Sequence, residues 1–263
     1  MPSSFFGWVG FLAKQYGGLF LRGTVNTLLI AVTGTILGFL IGLLVAIART
    51  IQLGPKAPAW KRVPLKILHG ILGIYIEVFR GTPMIVQAMV IYYGALQYLG
   101  LDMPRLVAAI FIVSINTGAY MAEIIRGGII SIDKGQTEAA HSIGLTHWQT
   151  MVSVVLPQAI RNIMPSIGNE FVVNIKDSSV LNVISVTELF FQAKSATGAY
   201  FRYFETYFII ALIYLTLTFT ITRILRLIEK KMDGPENYVI HGSQSDSHAA
   251  IAVHEEGNNG TCD

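Results

Sequence analysis
Two short stretches of this chain set ionisable groups inside otherwise apolar sequence. One holds Glu77, Arg80, Gly81, Thr82, Pro83 and Gln87; the other holds Asn169, Glu170, Asn174, Lys176, Asp177, Ser178 and Ser179. A charged side chain at the centre of an isolated membrane helix costs roughly 2.5 kcal/mol or more, so such groups are functional candidates by default. Pro83 has no backbone N–H and breaks a helix, freeing carbonyls one turn earlier. A guanidinium at Arg80, beside that break, can face a carboxylate substrate. Glu170, Asn174 and Asp177 follow one another at spacings of four and three, which puts them on one helix face. Lys176 can compensate a neighbouring acid, and Ser178 and Ser179 can satisfy carbonyls where the helix loosens. Plainer roles exist beside these. Glu77 and Arg80 stand at i, i+3 and can neutralise each other, and Glu123, within a turn of Arg126, reads as a solvated interfacial charge.

The elements that must carry these groups are membrane helices. Of 263 residues, 52% are hydrophobic and only 13% charged, with a mean hydropathy of +0.55. Soluble domains carry about 25% charged residues. The expected fold class is therefore an all-α integral membrane protein, not a globular enzyme with a large core. A spanning helix needs roughly 20 mostly apolar residues. Residues 24–48 meet this without a charge, and residues 84–101, 106–122 and 206–222 are shorter but extendable. A further segment, 160–191, is apolar but interrupted by Glu170, Lys176 and Asp177. The expected count is five crossings. The second crossing can begin near Leu65, since 65–78 is also largely apolar; the competing topology makes a separate sixth crossing there.

Basic residues orient the chain. Arg49, Lys56, Lys61, Arg62 and Lys66 follow the first segment; Arg126, Lys134 and Arg161 flank the middle; Arg223, Arg226, Lys230 and Lys231 follow the last. The opposite loops hold only Arg105, or Lys194 and Arg202. The positive-inside bias places the first set in the cytoplasm. An odd number of crossings then leaves the N-terminus outside and the C-terminus inside. Residues 1–15 lack the basic n-region and small-residue cleavage site of a signal peptide. Phe5, Phe6, Trp8 and Phe11 read as an interfacial aromatic anchor within an N-terminal segment 1–23. Residues 24–231 form the membrane domain, and 232–263 read as a disordered cytoplasmic tail. His241, His248 and His254 lie in that tail, which is not expected to hold them in a metal-ligating geometry, and the single cysteine, Cys262, allows no disulfide framework. The net charge of +3 gathers beside apolar segments, which fits membrane lipid rather than nucleic acid. Gly34, Gly38 and Gly42 make a smooth face for close helix packing. Gly127-Gly128 is expected to cap a helix.

Between the middle segments runs Glu138-Ala139-Ala140, three residues, Gly144, nine residues, then Val154-x-Leu156-Pro157. The alanines favour helix, and Gly144 can adopt φ > 0 and end it. Leu145–Thr150 restarts a helix, and Pro157 sits where the helix must bend or change partner. A short helix–turn–helix on the membrane surface results. Its alanines admit another protein's backbone and its glutamate offers a charge.

This run resembles the EAA loop of ABC-importer permease subunits, E-A-A-x3-G-x9-I-x-L-P, with Val154 in place of isoleucine. The stretch from Phe79 to Gln87 resembles the F-R-G-T-P-hydrophobic-hydrophobic-x-Q signature of permeases for polar amino acids, the histidine, glutamate, glutamine, arginine and opine group. Asn169 to Ser179 resembles that family's N-x-F-x-x-x-x-K-D-[ST]-S pattern. The resemblance implies a type I ABC importer fold with a cytoplasmic coupling helix. It implies ATPase coupling through Glu138, Ala139, Ala140, Gly144, Leu156 and Pro157. It implies a substrate path at Arg80, Thr82, Pro83, Gln87, Glu170, Asn174, Lys176, Asp177, Ser178 and Ser179. The implied partners are two copies of an ATP-binding subunit that hold ATP and Mg, a second permease subunit (identical or paralogous), and an extracytoplasmic binding protein, all at a prokaryotic inner membrane. No G-x-x-x-x-G-K-[ST], H-E-x-x-H or G-x-S-x-G occurs in the chain, so neither an ATPase site, a metal site nor an enzymatic role is expected of it. The competing class is an ion-coupled secondary amino-acid transporter, which would also carry intramembrane acids and a broken helix. Such a protein would show an internal repeat, and no self-similar halves are visible; it also leaves the EAA run unexplained. A membrane-embedded enzyme lacks any nucleophile–base or metal constellation to support it.

Overall fold
A computed structural model describes residues 2–51 and 58–232. The tail, with its three histidines and Cys262, lies outside the described residues, as does Lys56. Among the described residues every element is helical. The order is α1 (Phe5–Thr50), α2 (Ala59–Gly81), α3 (Met84–Leu99), α4 (Arg105–Ile130), α5 (Lys134–Ser142) and α6 (His147–Thr150). A π-helical turn (Met151–Val155) leads into α7 (Leu156–Asp177), a 3₁₀ segment (Ser178–Ile184), α8 (Leu189–Tyr200) and α9 (Tyr203–Met232).

The helix α1 has 46 residues, about 69 Å at the α-helical rise. That exceeds the roughly 30 Å hydrocarbon core, so the apolar stretch from residue 24 and the aromatic N-terminal segment are one continuous rod. Its start is capped by Ser4, whose Oγ accepts from Gly7 N at 3.2 Å. The expected aromatic anchor is not all free belt. Phe6 is exposed, but Trp8 is buried with Leu12, Leu189, Ala193 and Ile209 where α1, α8 and α9 meet.

By length and composition α1, α4 and α9 can each cross a membrane, and α2 with α3 forms a pair bent by 115° that would count as a further, broken span. The α3 helix alone, at 16 residues, reaches only about 24 Å. The expected fifth segment falls on α7, whose 22 residues include Arg161, Glu170, Lys176 and Asp177.

The glycine stripe of α1 packs against α4 of the same chain. A Cβ built at Gly34 would lie 2.5 Å from Val113, one at Gly38 2.7 Å from Thr117, and one at Gly42 against Met121 and 2.8 Å from the backbone N of Ala122. The positions step by four on both helices, so two backbones approach along a shared seam. Gly42→Val is expected to cost about 1–3 kcal/mol by overpacking, because the atom it meets is backbone and cannot rotate away. Thermal unfolding of the purified chain reads this, with Gly18→Ala, where no heavy atom lies within 4 Å, as control. An unchanged midpoint for Gly42→Val would show that the seam can open at no cost.

Gly127-Gly128 does not cap α4, contrary to expectation. The helix runs on to Ile130 and ends at Ser131, and Gly128 is where Ile163 of α7 presses in. The glycine is used for close approach, not for positive φ. Glu123 is likewise not a solvated charge. It accepts from Arg126 Nη2 at 2.7 Å and from Arg49 Nη1 at 2.8 Å, tying the end of α1 to α4.

At the far end of α7, Glu188 is fully buried and caps α8. Its carboxylate accepts from Phe190 N and Phe191 N, both at 2.7 Å, and from the Tyr214 hydroxyl of α9 at 3.2 Å. A buried carboxylate needs such a set of donors. These bonds fix α8 and α9 relative to the 3₁₀ segment that follows the polar face of α7.

Candidate functional site
The break at Pro83 is a built bend rather than a loose one. Helix α2 ends at Gly81 and Thr82 is extended; in a continuous helix the carbonyl of Phe79 would accept from residue 83, which as proline has no N–H. Two side chains take that carbonyl instead, Gln87 Nε2 at 2.9 Å and Asn116 Nδ2 at 3.3 Å. Gln87 Nε2 also lies 2.9 Å from Thr82 O and 2.9 Å from Thr82 Oγ1, while its Oε1 accepts from Asn116 Nδ2 at 2.9 Å. The Thr82 hydroxyl donates to Val78 O at 2.7 Å. The freed carbonyls are thus satisfied by the protein itself, and Gln87, buried beneath the bend, braces it.

Helix α7 supplies the opposite wall. Glu170, Asn174 and Asp177, one face by their spacing, border a cleft of about 330 Å³ together with Thr82, Pro83, Asn116 and Tyr120. That volume falls at the lower end of small-molecule sites. Asn174 is held by both its ends. Its Nδ2 donates to Thr35 Oγ1 of α1 at 2.9 Å, and its Oδ1 accepts from Thr117 Oγ1 of α4 at 3.1 Å. Glu170 and Asp177 are half-buried, and no ion pair to either is present among the described residues. The cleft therefore presents two carboxylates whose compensating charge does not come from a side-chain ion pair.

Arg80 stands at the edge, with its guanidinium carbon 5.6 Å from the ring centroid of Tyr120. Arg80 makes a cation–π contact rather than the Arg80–Glu77 pair that the i, i+3 spacing allows, which is absent among the described residues. The ring of Tyr120 belongs both to this contact and to the cleft wall.

The structure brings Thr82, Pro83, Glu170, Asn174 and Asp177 together, with Arg80 adjacent. It does not bring Gln87, Lys176, Ser178 or Ser179 to the same wall. Lys176 is one residue from Asp177 but about 100° around the helix, and it faces grooves against α9, one of them shared with Ser179. Ser178 is fully buried and donates to Ile175 O at 2.9 Å, where α7 tightens into the 3₁₀ segment. Asn116 and Tyr120 join the cleft without having been singled out as site residues. Their signal was a polar pair four apart inside an apolar helix.

The second candidate element is the turn between α5 and α7. Gly144 has φ +86°. Leu145 N bonds Ala140 O at 3.1 Å and Gly144 N bonds His141 O at 3.0 Å, the paired bonds of a Schellman C-cap. Thr146 then opens α6 with a reciprocal capping box, Oγ1 accepting from Gln149 N and Gln149 Oε1 accepting from Thr146 N. Glu138 and Ala139 are exposed, whereas Ala140 is buried within the chain. Only one of the two alanines is free to meet another backbone. Ile143 and Trp148 are 78% and 74% exposed beside this turn, a local apolar surface flanked by Glu138. Leu156 is half-buried and Pro157 exposed. The expected change of partner before Pro157 is the π-helical turn, in which Leu156 N bonds Met151 O, so the residue without a donor falls where the ladder already shifts.

A family model for binding-protein-dependent transport system inner membrane components matches residues 57–234. The glutamine transport system permease protein GlnP of Escherichia coli is 38% identical over 215 residues, covering 81% of this chain and 93% of that protein. The arginine transport system permease protein ArtQ of Bacillus subtilis is 36% identical over 212 residues, covering 81% and 91%. A crystal structure of an amino acid ABC transporter with histidines matches at TM-score 0.76 and 38% identity, over 88% of this chain and all of that one. The inward-facing MetNI methionine ABC transporter matches at TM-score 0.66 and 19% identity, over 81% and 96%, a likeness of fold alone. The broken α2–α3 pair, the polar face of α7 and the capped turn after α5 are thus parts of an ABC-importer permease, and the chain belongs to the family of binding-protein-dependent transport system inner membrane components.

Proposed function
We propose that this chain is the permease subunit of an ATP-driven importer of polar amino acids. Two permease subunits, identical or paralogous, form the path. A separate ATPase in two copies binds ATP and Mg and docks at the turn around Gly144. A binding protein delivers substrate from outside. The observation that carries the substrate class is the cleft in which Glu170 and Asp177 face the Thr82–Pro83 bend, with Arg80 at its edge. An amino acid presents an ammonium and a carboxylate, and this cleft offers groups of both signs. The names of GlnP and ArtQ, for glutamine and arginine transport, support the same class. Docking of the ATPase is supported by the exposed Glu138, Ala139, Ile143 and Trp148 around a rigid capped turn.

The basic-residue bias supports an N-terminus outside and a C-terminus in the cytoplasm. Vesicles of defined orientation carrying the chain with its ATPase and binding protein test both parts. Uptake of a polar amino acid is expected to require ATP and to stop with vanadate, and an impermeant maleimide is expected to reach Gln136→Cys from the cytoplasmic side only. Uptake driven by an ion gradient without ATP would favour a secondary transporter instead. Labelling of Gln136→Cys from outside would reverse the orientation.

A further inference from the structure
A second cleft, of about 270 Å³, lies between the last turn of α4, the start of α5 and the π-helical turn, and shares no residue with the cleft between α3, α4 and α7. Its wall is amphipathic. Ile129, Ile132, Met151 and Val155 supply the apolar part, and Lys134, Thr137, His147 and Thr150 the polar part. No carboxylate lines it. Asp133, next in sequence to Lys134, uses its Oδ1 as a cap on Gly135 N at 2.6 Å.

Thr150 is 1% exposed, and its Oγ1 is the one buried side-chain polar atom without a hydrogen-bond partner among the described residues. Buried polar groups nearly always find a partner, so this hydroxyl marks a place where one is missing. It also sits immediately before the π-helical turn, a departure from regular helix that is frequent at functional sites. Two basic side chains and two hydroxyls without an acid match the oxygens of a phosphate. The apolar remainder of the wall has no use for a phosphate alone, and suits hydrocarbon.

From this arrangement we infer that the cleft binds an anionic glycerophospholipid of the inner leaflet. Its phosphate is held by Lys134 and His147 with the Thr137 and Thr150 hydroxyls, and its acyl chains lie along Ile132, Met151 and Val155. The inference rests on the cytoplasmic placement of the α5–α6 turn given above, since anionic inner-leaflet lipid is what draws basic side chains there. The lipid would join the end of α4, which carries Asn116 and Tyr120 at the polar cleft, to α5, which carries Glu138 and Ala139.

The test uses the full chain purified in mild detergent and mixed with phosphatidylglycerol or phosphatidylcholine, with retained lipid counted by native mass spectrometry. Preferential retention of phosphatidylglycerol is expected, falling about fivefold in Lys134→Gln, which removes a charge, and further in Lys134→Gln/His147→Gln. Lys231→Gln, remote from the cleft, is expected to leave retention unchanged. Thr150→Val removes the hydroxyl at constant shape and is expected to weaken retention without lowering the thermal midpoint. Unchanged phosphatidylglycerol preference in the Lys134→Gln/His147→Gln double variant overturns the proposal. So does Thr150→Val with unaltered retention and a raised midpoint, which makes the hydroxyl a packing flaw. Displacement of the lipid by millimolar inorganic phosphate assigns the site to free phosphate and overturns the lipid as ligand. The measurement needs neither the ATPase nor a defined orientation, so its failure is distinct from failure of the coupling assay or of the maleimide labelling.

Discussion
Gly144→Asp is expected to leave the chain inserted and folded while abolishing the coupling of ATP hydrolysis to uptake. The two halves of that result follow from different observations. Gly144 has φ +86°, and an L-residue in left-handed geometry costs about 1–2 kcal/mol, with aspartate among the residues that tolerate it better. A Cβ at this position meets no heavy atom within 4 Å, so nothing inside the chain has to move. The added carboxylate therefore projects into the space where the ATPase is proposed to dock, next to the exposed Glu138. A second acid there adds like-charge repulsion and takes up the room that a glycine leaves. Substrate-stimulated ATPase activity and uptake are expected to fall more than tenfold, on the order of 1.4 kcal/mol or more of lost coupling, with the thermal midpoint of the isolated chain lowered only slightly. Gly144→Ala, with no charge, should lose less. Normal stimulated uptake by Gly144→Asp would show that the turn does not contact the ATPase.

That this turn could be read from sequence has a local cause. A Schellman cap is made within six residues, Ala140 to Leu145, and its one demand, a residue at positive φ, names glycine. The capping box at Thr146 and Gln149 is local in the same way. The bend at Pro83 was also legible, because a missing N–H has a fixed consequence at Phe79 O. Its repair was not. Gln87 resembles a substrate contact in sequence, yet its amide is spent on Phe79 O and Thr82 O, and Asn116 arrives from another helix. Such bonds depend on how α3 and α4 pack, and spacing along one segment carries no record of it.

Helical phase explains the mixed outcome on α7. Spacings of four and three placed Glu170, Asn174 and Asp177 on one face, and the cleft has all three. Lys176 was grouped with them through sequence adjacency, but adjacent residues on a helix diverge by about 100°. The glycines divide similarly. The Gly34–Gly38–Gly42 stripe signalled close packing but not its partner, which is the Val113–Thr117–Met121 stripe of α4. Gly127-Gly128 had the composition of a cap, and tertiary contact with Ile163 gave it another use. Glu188 escaped notice because one acid after Val186-Thr187 has no distinguishing spacing. Its significance lies in a 0% exposure that depends on α9.

The acids of the polar cleft carry the remaining large prediction. Asp177→Asn is expected to reduce apparent affinity for the transported amino acid much more than it reduces stability. No ion pair to Asp177 or Glu170 is present among the described residues, and Lys176 points to the α9 side. Removing the charge from Asp177 thus breaks no salt bridge, and the neighbouring cation, Lys176, is exposed to water rather than left buried and unpaired, the circumstance that makes many buried-charge deletions destructive to the fold. What it does remove is an acceptor for a substrate ammonium. A hydrogen bond to a charged group contributes about 1.5–3 kcal/mol, so KM is expected to rise roughly tenfold to a hundredfold with Tm little changed. Glu170→Gln should act in the same direction, and Lys231→Ala, outside the cleft, should do nothing measurable. Arg80→Ala tests the carboxylate end. Loss of its contact with Tyr120 is worth only about 0.5–1 kcal/mol at an exposed site, so any larger effect on KM belongs to the substrate. Uptake in proteoliposomes over a range of substrate concentrations, with complex assembly followed by size exclusion, separates the two roles. Disrupted assembly in Asp177→Asn would make the acid face of α7 structural. If Asp177→Asn, Glu170→Gln and Arg80→Ala all assemble and transport with unchanged KM, the substrate does not pass through this cleft, and the polar face of α7 must serve the partner permease instead.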